Sequence, residues 1–365
     1  MSRPDPPLIA LATGGTGGHV FPARALAETM LDRNWRVVMF VDRRGLRYLD
    51  NMPDAVCVHT IPSATHAGKG LGGLVTVPFR ILSGLFAAMV MLLRDRPAVQ
   101  VGFGGYTTFP PVLAGWLLRI PSLLHEQNAQ LGLANRVLVR LTRRLATATE
   151  NPDVPQGVTA VRTGTPVRAA IRRCSDVAYT PPAPVRNRIL IMAGSQGAAF
   201  FDSVVPEAIA QIESGLCRTL VLTQQFRAGA ADRLLRRYTS LGVTADIQPF
   251  IHDIPEQLAA CQLVIARAGA SSLAEICAIG RPAILVPLAQ SAGHHQIANA
   301  RSLEAAGAAI CLEESEASPE RLAGAMTSFL ADADGAARMA DAARSLAVTD
   351  AADALARTVI EIAGK

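Results

Sequence analysis

The chain has 365 residues, half of them hydrophobic and 18% charged, with a formal net charge of +5. That length exceeds one ordinary domain and implies two of roughly 150–200 residues, and so hydrophobic a composition excludes bulk disorder. The positive balance is too mild to suggest a nucleic-acid partner, and it permits an anionic substrate or membrane surface.

The N-terminal stretch MSRPDPPLIALATGG reads as no signal peptide, because its apolar run stops at glycines after a few residues. From there short apolar runs alternate with helical stretches: LIALA, RVVMFVD, VQVGFGG, SLLHEQN, then RILIMAG, TLVLTQQ, LVIARAG and AILVPL. Alternation of this kind predicts an α/β fold of parallel sheets with helices on both faces. Between the two sets of strands, residues 163–187 are rich in Pro and Arg and read as an interdomain linker. The tail from Ser318 reads as alanine-rich helix. Six cysteines are scattered without a CxxC, as expected of small buried hydrophobes in a reduced cytosol.

The longest apolar run, ILSGLFAAMVMLL at 81–93, is too short to cross a hydrocarbon core, which needs about 20 residues. Two readings stand: a buried core helix, or a surface that dips into lipid headgroups. The second is favoured by the preceding GKGLGGLVTVPF, also apolar, glycine-rich and basic at Lys69.

Two strand–glycine-loop–helix openings stand out, LIALATGGTGGHV and RILIMAGSQGAAF. Such a loop offers free backbone N–H groups and the positive end of a helix dipole to a phosphate. Neither a P-loop nor a dinucleotide fingerprint is present, since no GK[ST] follows and Val20 stands where a third glycine belongs. Asp42 nevertheless imitates the ribose-binding acid of that fingerprint. A nicotinamide-dependent oxidoreductase, and a non-catalytic nucleotide-sugar binding protein, are therefore the rival functions.

The motifs GGTGGHVFPARALAE, GFGGYTTFPPVLAG, HEQN, GTPVR, AGSQGA and RAGASSLAEICAIGRPAILVP resemble the MurG family, the lipid-I N-acetylglucosaminyltransferases of peptidoglycan synthesis. The resemblance runs from about Leu8 to the final helix. It implies a GT-B fold of two Rossmann-like domains facing across a cleft: 1–166 for acceptor and membrane, 167–349 for UDP-N-acetylglucosamine, with a final helix at 350–365 packing back on the first. It implies inverting transfer of N-acetylglucosamine to the 4-hydroxyl of the muramoyl sugar of undecaprenyl-pyrophosphoryl-MurNAc-pentapeptide (lipid I). The expected place is the cytoplasmic face of the inner membrane, held peripherally on an anionic surface, with cell-wall synthesis proteins as further candidate partners. No metal or other cofactor is implied, and Asp332 and Asp334, which imitate a metal-binding Asp-x-Asp, read as a solvated helix end.

A sugar hydroxyl is a poor nucleophile and needs a base, for which His19 and Glu126 are the candidates. For the donor the resemblance assigns Thr16, Gly17, Gly18, Asn128, Arg168, Ser195, Ile251, Ala270, Ser271, Ser272, Leu273, Glu275 and Gln296. Arg168 is expected to neutralise charge on the leaving UDP. Ser271 or Ser272 is read as the N-cap of a helix with Glu275 in its first turn. Gly14, Gly15, Gly104, Gly105 and Tyr106 are expected to grip the acceptor's diphosphate. Leu74, Val75, Phe79, Leu82, Phe86 and Trp116 form the candidate membrane patch. Phe79, Leu82 and Phe86 fall on one helical face.

Overall fold

The computed structural model describes residues 5–49, 52–62, 71–149, 154–227, 229–289 and 295–364, with backbone alone for 71–77 and 194–198. It divides into two units, Met1–Arg168 with Val348–Lys365, and Ala169–Ala347. The first unit thus extends through Arg168.

The first unit holds β1 (Leu8–Ala12), α1 (Gly17–Asp32), β2 (Arg36–Val41), β3 (Val56–Thr60), α2 (Leu71–Arg94) and β4 (Val99–Gly102), followed by α3 (Phe109–Leu117), β5 (Ser122–Glu126), α4 (Leu133–Leu138), β6 (Arg144–Thr147) and β7 (Ala160–Arg162). Its sheet runs β3-β2-β1-β4-β5-β6-β7, all parallel, with Ile9 flanked by Val37 on one side and Val99 on the other. β1 is buried along its whole length because helices cover both faces, and this is why it reads as an unbroken apolar run. Strand order reverses between β1 and β4, so the loops leaving their carboxyl ends flank the crevice where open α/β sheets bind ligands.

The second unit repeats the plan. Its elements are α5 (Ala169–Arg173), β8 (Asn187–Met192), α6 (Gly194–Ile209), α7 (Ser214–Cys217), β9 (Leu220–Gln225), α8 (Ala231–Ser240), β10 (Thr244–Gln248) and α9 (Ile254–Ala260), then β11 (Leu263–Ala266), α10 (Ala270–Ile279), β12 (Ala283–Leu285), α11 (His295–Ala305), β13 (Ala309–Cys311), α12 (Pro319–Ala331) and α13 (Ala333–Leu346). The sheet order is β10-β9-β8-β11-β12-β13, reversing between β8 and β11. Two reversing parallel sheets in one chain are the GT-B architecture.

The last helix, α14 (Ala351–Ile362), returns to the first unit. Leu355, Ala356, Val359 and Ile362 join Ile9, Leu11, Leu26 and Met30 in one core cluster. Burying each of its larger aliphatic side chains contributes roughly 1.5–3 kcal/mol.

Several expectations are corrected. The alanine-rich tail is three helices, broken where the Asp332 side chain accepts the Gly335 N–H and caps α13. Residues 163–187 do contain the boundary between the units, at Arg168–Ala169, but they are structured on both sides of it. Thr163 and Gly164 donate their N–H groups to Thr147 O, α5 forms inside the segment, and the Tyr179 hydroxyl donates to Gln262 O. Four cysteines are buried, but Cys57 is exposed on β3, an edge strand, and Cys174 is half-buried.

Candidate active site

The loop after β1 is held from below. Asp42, at the end of β2, accepts the Gly15 N–H and the Gly45 N–H on Oδ1, both at 2.9 Å, and Arg44 Nε on Oδ2. Burial by itself would raise its pKa. The two backbone bonds and Arg44 outweigh that, so the carboxyl sits below its ordinary value. The loop packs so closely that a Cβ on Gly14, at φ +151°, would lie 2.7 Å from Thr107 Oγ1 and 2.9 Å from Asp42 Oδ1. Asp42 therefore serves its own glycine loop, and the likeness to a ribose-binding acid ends there.

Thr16 is the N-cap position of α1, in extended conformation and exposed, so Gly17, Gly18 and His19 form the first helical turn. The His19 ring lies against the second glycine turn of this unit. A Cβ on Gly104 would be 3.4 Å from His19 Cε1, and one on Gly105 would be 3.3 Å from His19 Cδ2. Both glycines have φ near +80°, at +83° and +76°, which an L side chain rarely adopts. The turn leads directly to Tyr106, which is exposed. Two motifs far apart in sequence thus meet across one imidazole.

Glu126, the other candidate base, is buried at the end of β5 with both oxygens engaged. Oε1 accepts the Asn128 N–H and Asn128 Nδ2. Oε2 accepts the Gly132 N–H and Asn135 Nδ2. Three of these bonds are 2.8 Å long. Such a carboxylate folds the 126–135 loop and aims Asn128.

His125, beside it, is wholly buried, and burial pushes its pKa down to about 4 despite the bond to Gly164 and the nearby Glu126 charge. It is neutral at pH 7. Nε2 faces the Gly164 carbonyl at 2.8 Å and so donates its proton there.

Arg168, the last residue of the first unit, places its guanidinium over the Phe21 ring of α1. Phe21 in turn meets Tyr48 edge-on.

In the second unit, α6 begins immediately after β8, with Ala193 at its N-cap position. Ser195 falls where only backbone is described. At α10 the N-cap is Gly269, without a side-chain cap, and Ser271 and Ser272 lie inside the helix with Ala270 and Leu273. Glu275 lies in the second turn, not the first, and is buried. A solvent-exposed acid stabilised by the helix dipole is thereby ruled out. Gln296 Oε1 accepts the Leu288 N–H, tying α11 to the segment after β12. Ile251 is buried in the loop after β10.

Arg267, between β11 and α10, was not singled out in the sequence. It pairs with Glu314 at 2.8 Å, donates to Val286 O and lies over the rings of Phe200 and Phe201. It thereby ties α6 to the loop before α10.

The apolar stretch at 71–94 is a single 24-residue helix. Gly84, Ala88 and Leu92 face inward, the latter two packing in a cluster with Leu8, Val38 and Phe40. The opposite face is bare, with Phe79 73%, Leu82 62% and Phe86 71% exposed. These three are therefore not core residues. Val90 and Leu93 continue the exposed stripe, and Trp116 and Leu117 of α3 and Leu133 and Val137 of α4 are exposed as well. The stripe's continuation was legible in the helical spacing. Leu74 and Val75 fall where only backbone is described, and Lys69 and His294 lie outside the described residues. Among the described residues no helix is long and apolar enough to cross a membrane, and no group of three His, Cys, Asp or Glu is placed to hold a metal ion.

Residues 9–147 match the glycosyltransferase family 28 N-terminal domain and residues 188–355 its C-terminal domain. The chain is 44% identical over 360 residues to the UDP-N-acetylglucosamine–N-acetylmuramyl-(pentapeptide) pyrophosphoryl-undecaprenol N-acetylglucosamine transferase of Rhodospirillum centenum, covering 98% of this chain and 94% of that one. It is 41% identical over 363 residues to the protein of that name in Rhodopseudomonas palustris, covering 98% and 99%. The crystal structure of Acinetobacter baumannii MurG superposes with a TM-score of 0.77 at 28% identity, covering 98% of this chain and all of that one. The chain belongs to glycosyltransferase family 28 and, within it, to the MurG family of N-acetylglucosamine transferases.

Proposed function

We propose that the protein transfers N-acetylglucosamine from UDP-N-acetylglucosamine to the 4-hydroxyl of the muramoyl sugar of undecaprenyl-pyrophosphoryl-MurNAc-pentapeptide, with inversion. The reading is carried by the meeting of His19 with the Gly104–Gly105 turn, in a chain that matches such transferases along nearly its whole length. The hydroxyl oxygen attacks C1 of the donor sugar as the C1–O bond to UDP breaks. The hydroxyl proton passes to an imidazole nitrogen of His19, and the electron pair leaves with UDP.

His19 is preferred to Glu126 as base because the carboxylate already accepts four hydrogen bonds. Glu126 then orients Asn128 toward the donor sugar. Gly14 and Gly15, before α1, and Gly104, Gly105 and Tyr106, after β4, grip the acceptor's diphosphate. Thr16, Gly17 and Gly18, at the N-terminus of α1, contact the donor. In the second unit the N-terminal turns of α6 and α10, with Ser195, Ala270, Ser271, Ser272 and Leu273, receive the donor's diphosphate. Glu275 holds the ribose, Ile251 the uracil through its backbone, and Gln296 the sugar. Arg168 balances charge on the departing UDP.

The acceptor's polyprenyl chain stays in the bilayer, so the enzyme works at the membrane surface. Phe79, Leu82, Phe86 and Trp116, all exposed, form its docking face with Leu74 and Val75, flanked by Arg80, Arg94 and Arg119. The face proposed for it is the cytoplasmic face of the inner membrane. Labelled UDP-N-acetylglucosamine incubated with a lipid-I analogue, without metal or nicotinamide, tests the reading. Transfer of label to the analogue supports it. Release of UDP without transfer, or no turnover by folded protein, overturns it.

A further inference from the structure

In the first sheet β1 has β2 on one side and β4 on the other. The turn after β4 carries Gly104 and Gly105 and rests on the His19 ring. The segment after β2, DRRGLRY at 42–48, holds three arginines. Arg47 is turned onto its neighbour and donates to the Tyr48 hydroxyl at 2.8 Å. Arg44 is turned onto the glycine loop after β1. Its Nε donates to Asp42 Oδ2 at 2.9 Å, and its Nη2 stands 3.6 Å from where a Gly15 Cβ would lie. Apart from the adjoining residues of the loop, no other heavy atom of the described residues comes within 4 Å of that point. The open flank of Gly15 is thus lined by this guanidinium. The Arg44 side chain is 57% exposed, while that of its anchor, Asp42, is 7% exposed. Gly45 fits the segment to the loop, since a Cβ there would lie 3.3 Å from Gly14 Cα.

We propose that Arg44 binds the acceptor's diphosphate, its Nη groups donating to phosphate oxygens beside Gly15. The inference rests on the reading of this loop as the acceptor's diphosphate site and adds the residue that supplies its charge. The Gly15 N–H is already spent on Asp42 Oδ1, so that donor is not open to a phosphate. Burial works against the charge on Asp42, yet the bonds from Gly15, Arg44 and Gly45 keep its carboxyl ionised at pH 7. A carboxylate beneath the loop repels an anion, and a diphosphate bound there needs a cation to offset it. Arg44 meets both needs. Its Nε is held by Asp42, and its two Nη groups offer four N–H donors in the planar fork that fits phosphate oxygens. Anchoring at Nε also reduces the side-chain freedom that a surface arginine loses on binding. The placement suits the reaction. In the muramoyl sugar the 4-hydroxyl and the C1 diphosphate lie at opposite ends of the ring. His19 and Arg44 flank the loop from opposite sides, one against the turn after β4 and the other from the end of β2.

The test is steady-state kinetics of the full chain with two short-chain muramoyl acceptors, one carrying the diphosphate and one with the same chain on an uncharged linkage. In Arg44→Gln the KM for the diphosphate acceptor should rise about 10-fold, the low end for a charge-assisted hydrogen bond because the side chain is exposed. Donor KM and kcat should stay near their wild-type values. Arg44→Lys keeps the charge and should recover most of the loss. On the uncharged acceptor the wild type and Arg44→Gln should have equal kcat/KM. This comparison separates phosphate binding from a structural role, because a distorted loop would slow both acceptors alike. An equal loss on the two acceptors overturns the proposal. So does an unchanged KM for the diphosphate acceptor in Arg44→Gln while the wild type turns it over, and that outcome leaves the transferase reading standing. A wild type that transfers no sugar to the diphosphate acceptor overturns the transferase reading and the proposal with it.

Discussion

The guanidinium carbon of Arg168 stands 4.8 Å from the centroid of the Phe21 ring. Phe21 is backed by Tyr48, edge-on at 5.7 Å, and Arg47 covers Tyr48 from 4.8 Å. A cation over an aromatic face gains about 0.5–2 kcal/mol. Phe21→Leu should therefore lower kcat/KM for the donor by roughly two- to thirty-fold through a misplaced Arg168, and Phe21→Tyr should retain the wild-type value. Equal kcat/KM in all three proteins would mean that other contacts hold Arg168.

His19 and Glu126 should separate cleanly. His19→Ala is expected to cut kcat by about 100-fold or more with little change in donor KM or thermal stability. Glu126→Gln turns an accepting oxygen into an N–H donor facing other donors. It should lose about 1–3 kcal/mol of stability, read as a lowered Tm, along with activity. A Glu126→Gln protein with native Tm and a kcat loss like that of His19→Ala would return the base role to the carboxylate.

Glu275 supplies a donor-affinity test. Because it is buried in the second turn of α10, its removal strands hydrogen-bond partners instead of relieving a surface charge. Glu275→Ala should weaken UDP-N-acetylglucosamine binding by about 1–3 kcal/mol in calorimetry. Unchanged affinity in a folded variant would remove Glu275 from the donor site.

The exposed stripe on α2 predicts surface binding without a role in folding. Phe79→Ser with Leu82→Ser should leave Tm near the wild-type value, reduce binding to anionic liposomes, and slow turnover of full-length lipid I. Turnover of a short-chain acceptor should persist. Each flanking cation within reach of an anionic leaflet adds about 1 kcal/mol, so Arg80→Ser should weaken binding further and steepen no salt dependence. Liposome binding equal to wild type would assign the stripe to another partner.

His125 makes stability pH-dependent. Its folded pKa is about 4, below the ordinary 6.5, because burial disfavours the cation. The unfolded chain therefore binds the extra proton first as pH falls. The contribution is complete above pH 6.5, declines through the window down to about pH 4, and changes no further below it. Urea titrations across that window should show a shallower decline for a folded His125→Gln variant, whose amide can still donate to Gly164 O. Parallel pH dependences would show that His125 does not set this slope.

The central strands were legible because sheets covered on both faces demand unbroken apolar runs, as in Leu8–Ala12 and Leu263–Ala266. The peripheral strands were not. β3 buries only Val56 fully, and β10 buries none of its residues fully, so neither carries that signal. Serines near a helix start pointed to a cap at Ser271 or Ser272, yet backbone geometry gives that place to Gly269. Composition could not decide whether Phe79 and Phe86 face lipid or core, since both environments select the same side chains. Asn135 gave no signal either: a single amide in a short helix acquires meaning only through Glu126.

The return of α14 to the first unit bears on how the chain matures on the ribosome. Residues Leu355, Ala356, Val359 and Ile362 close a core begun by Ile9 and Leu11. The N-terminal half therefore emerges first but is sealed last, after the whole of Ala169–Ala347 has been made and is free to fold as a unit of its own. During that interval α1 presents an uncovered apolar face, a natural stopping place for a chaperone. A nonsense mutation after Ala347 would leave it permanently open.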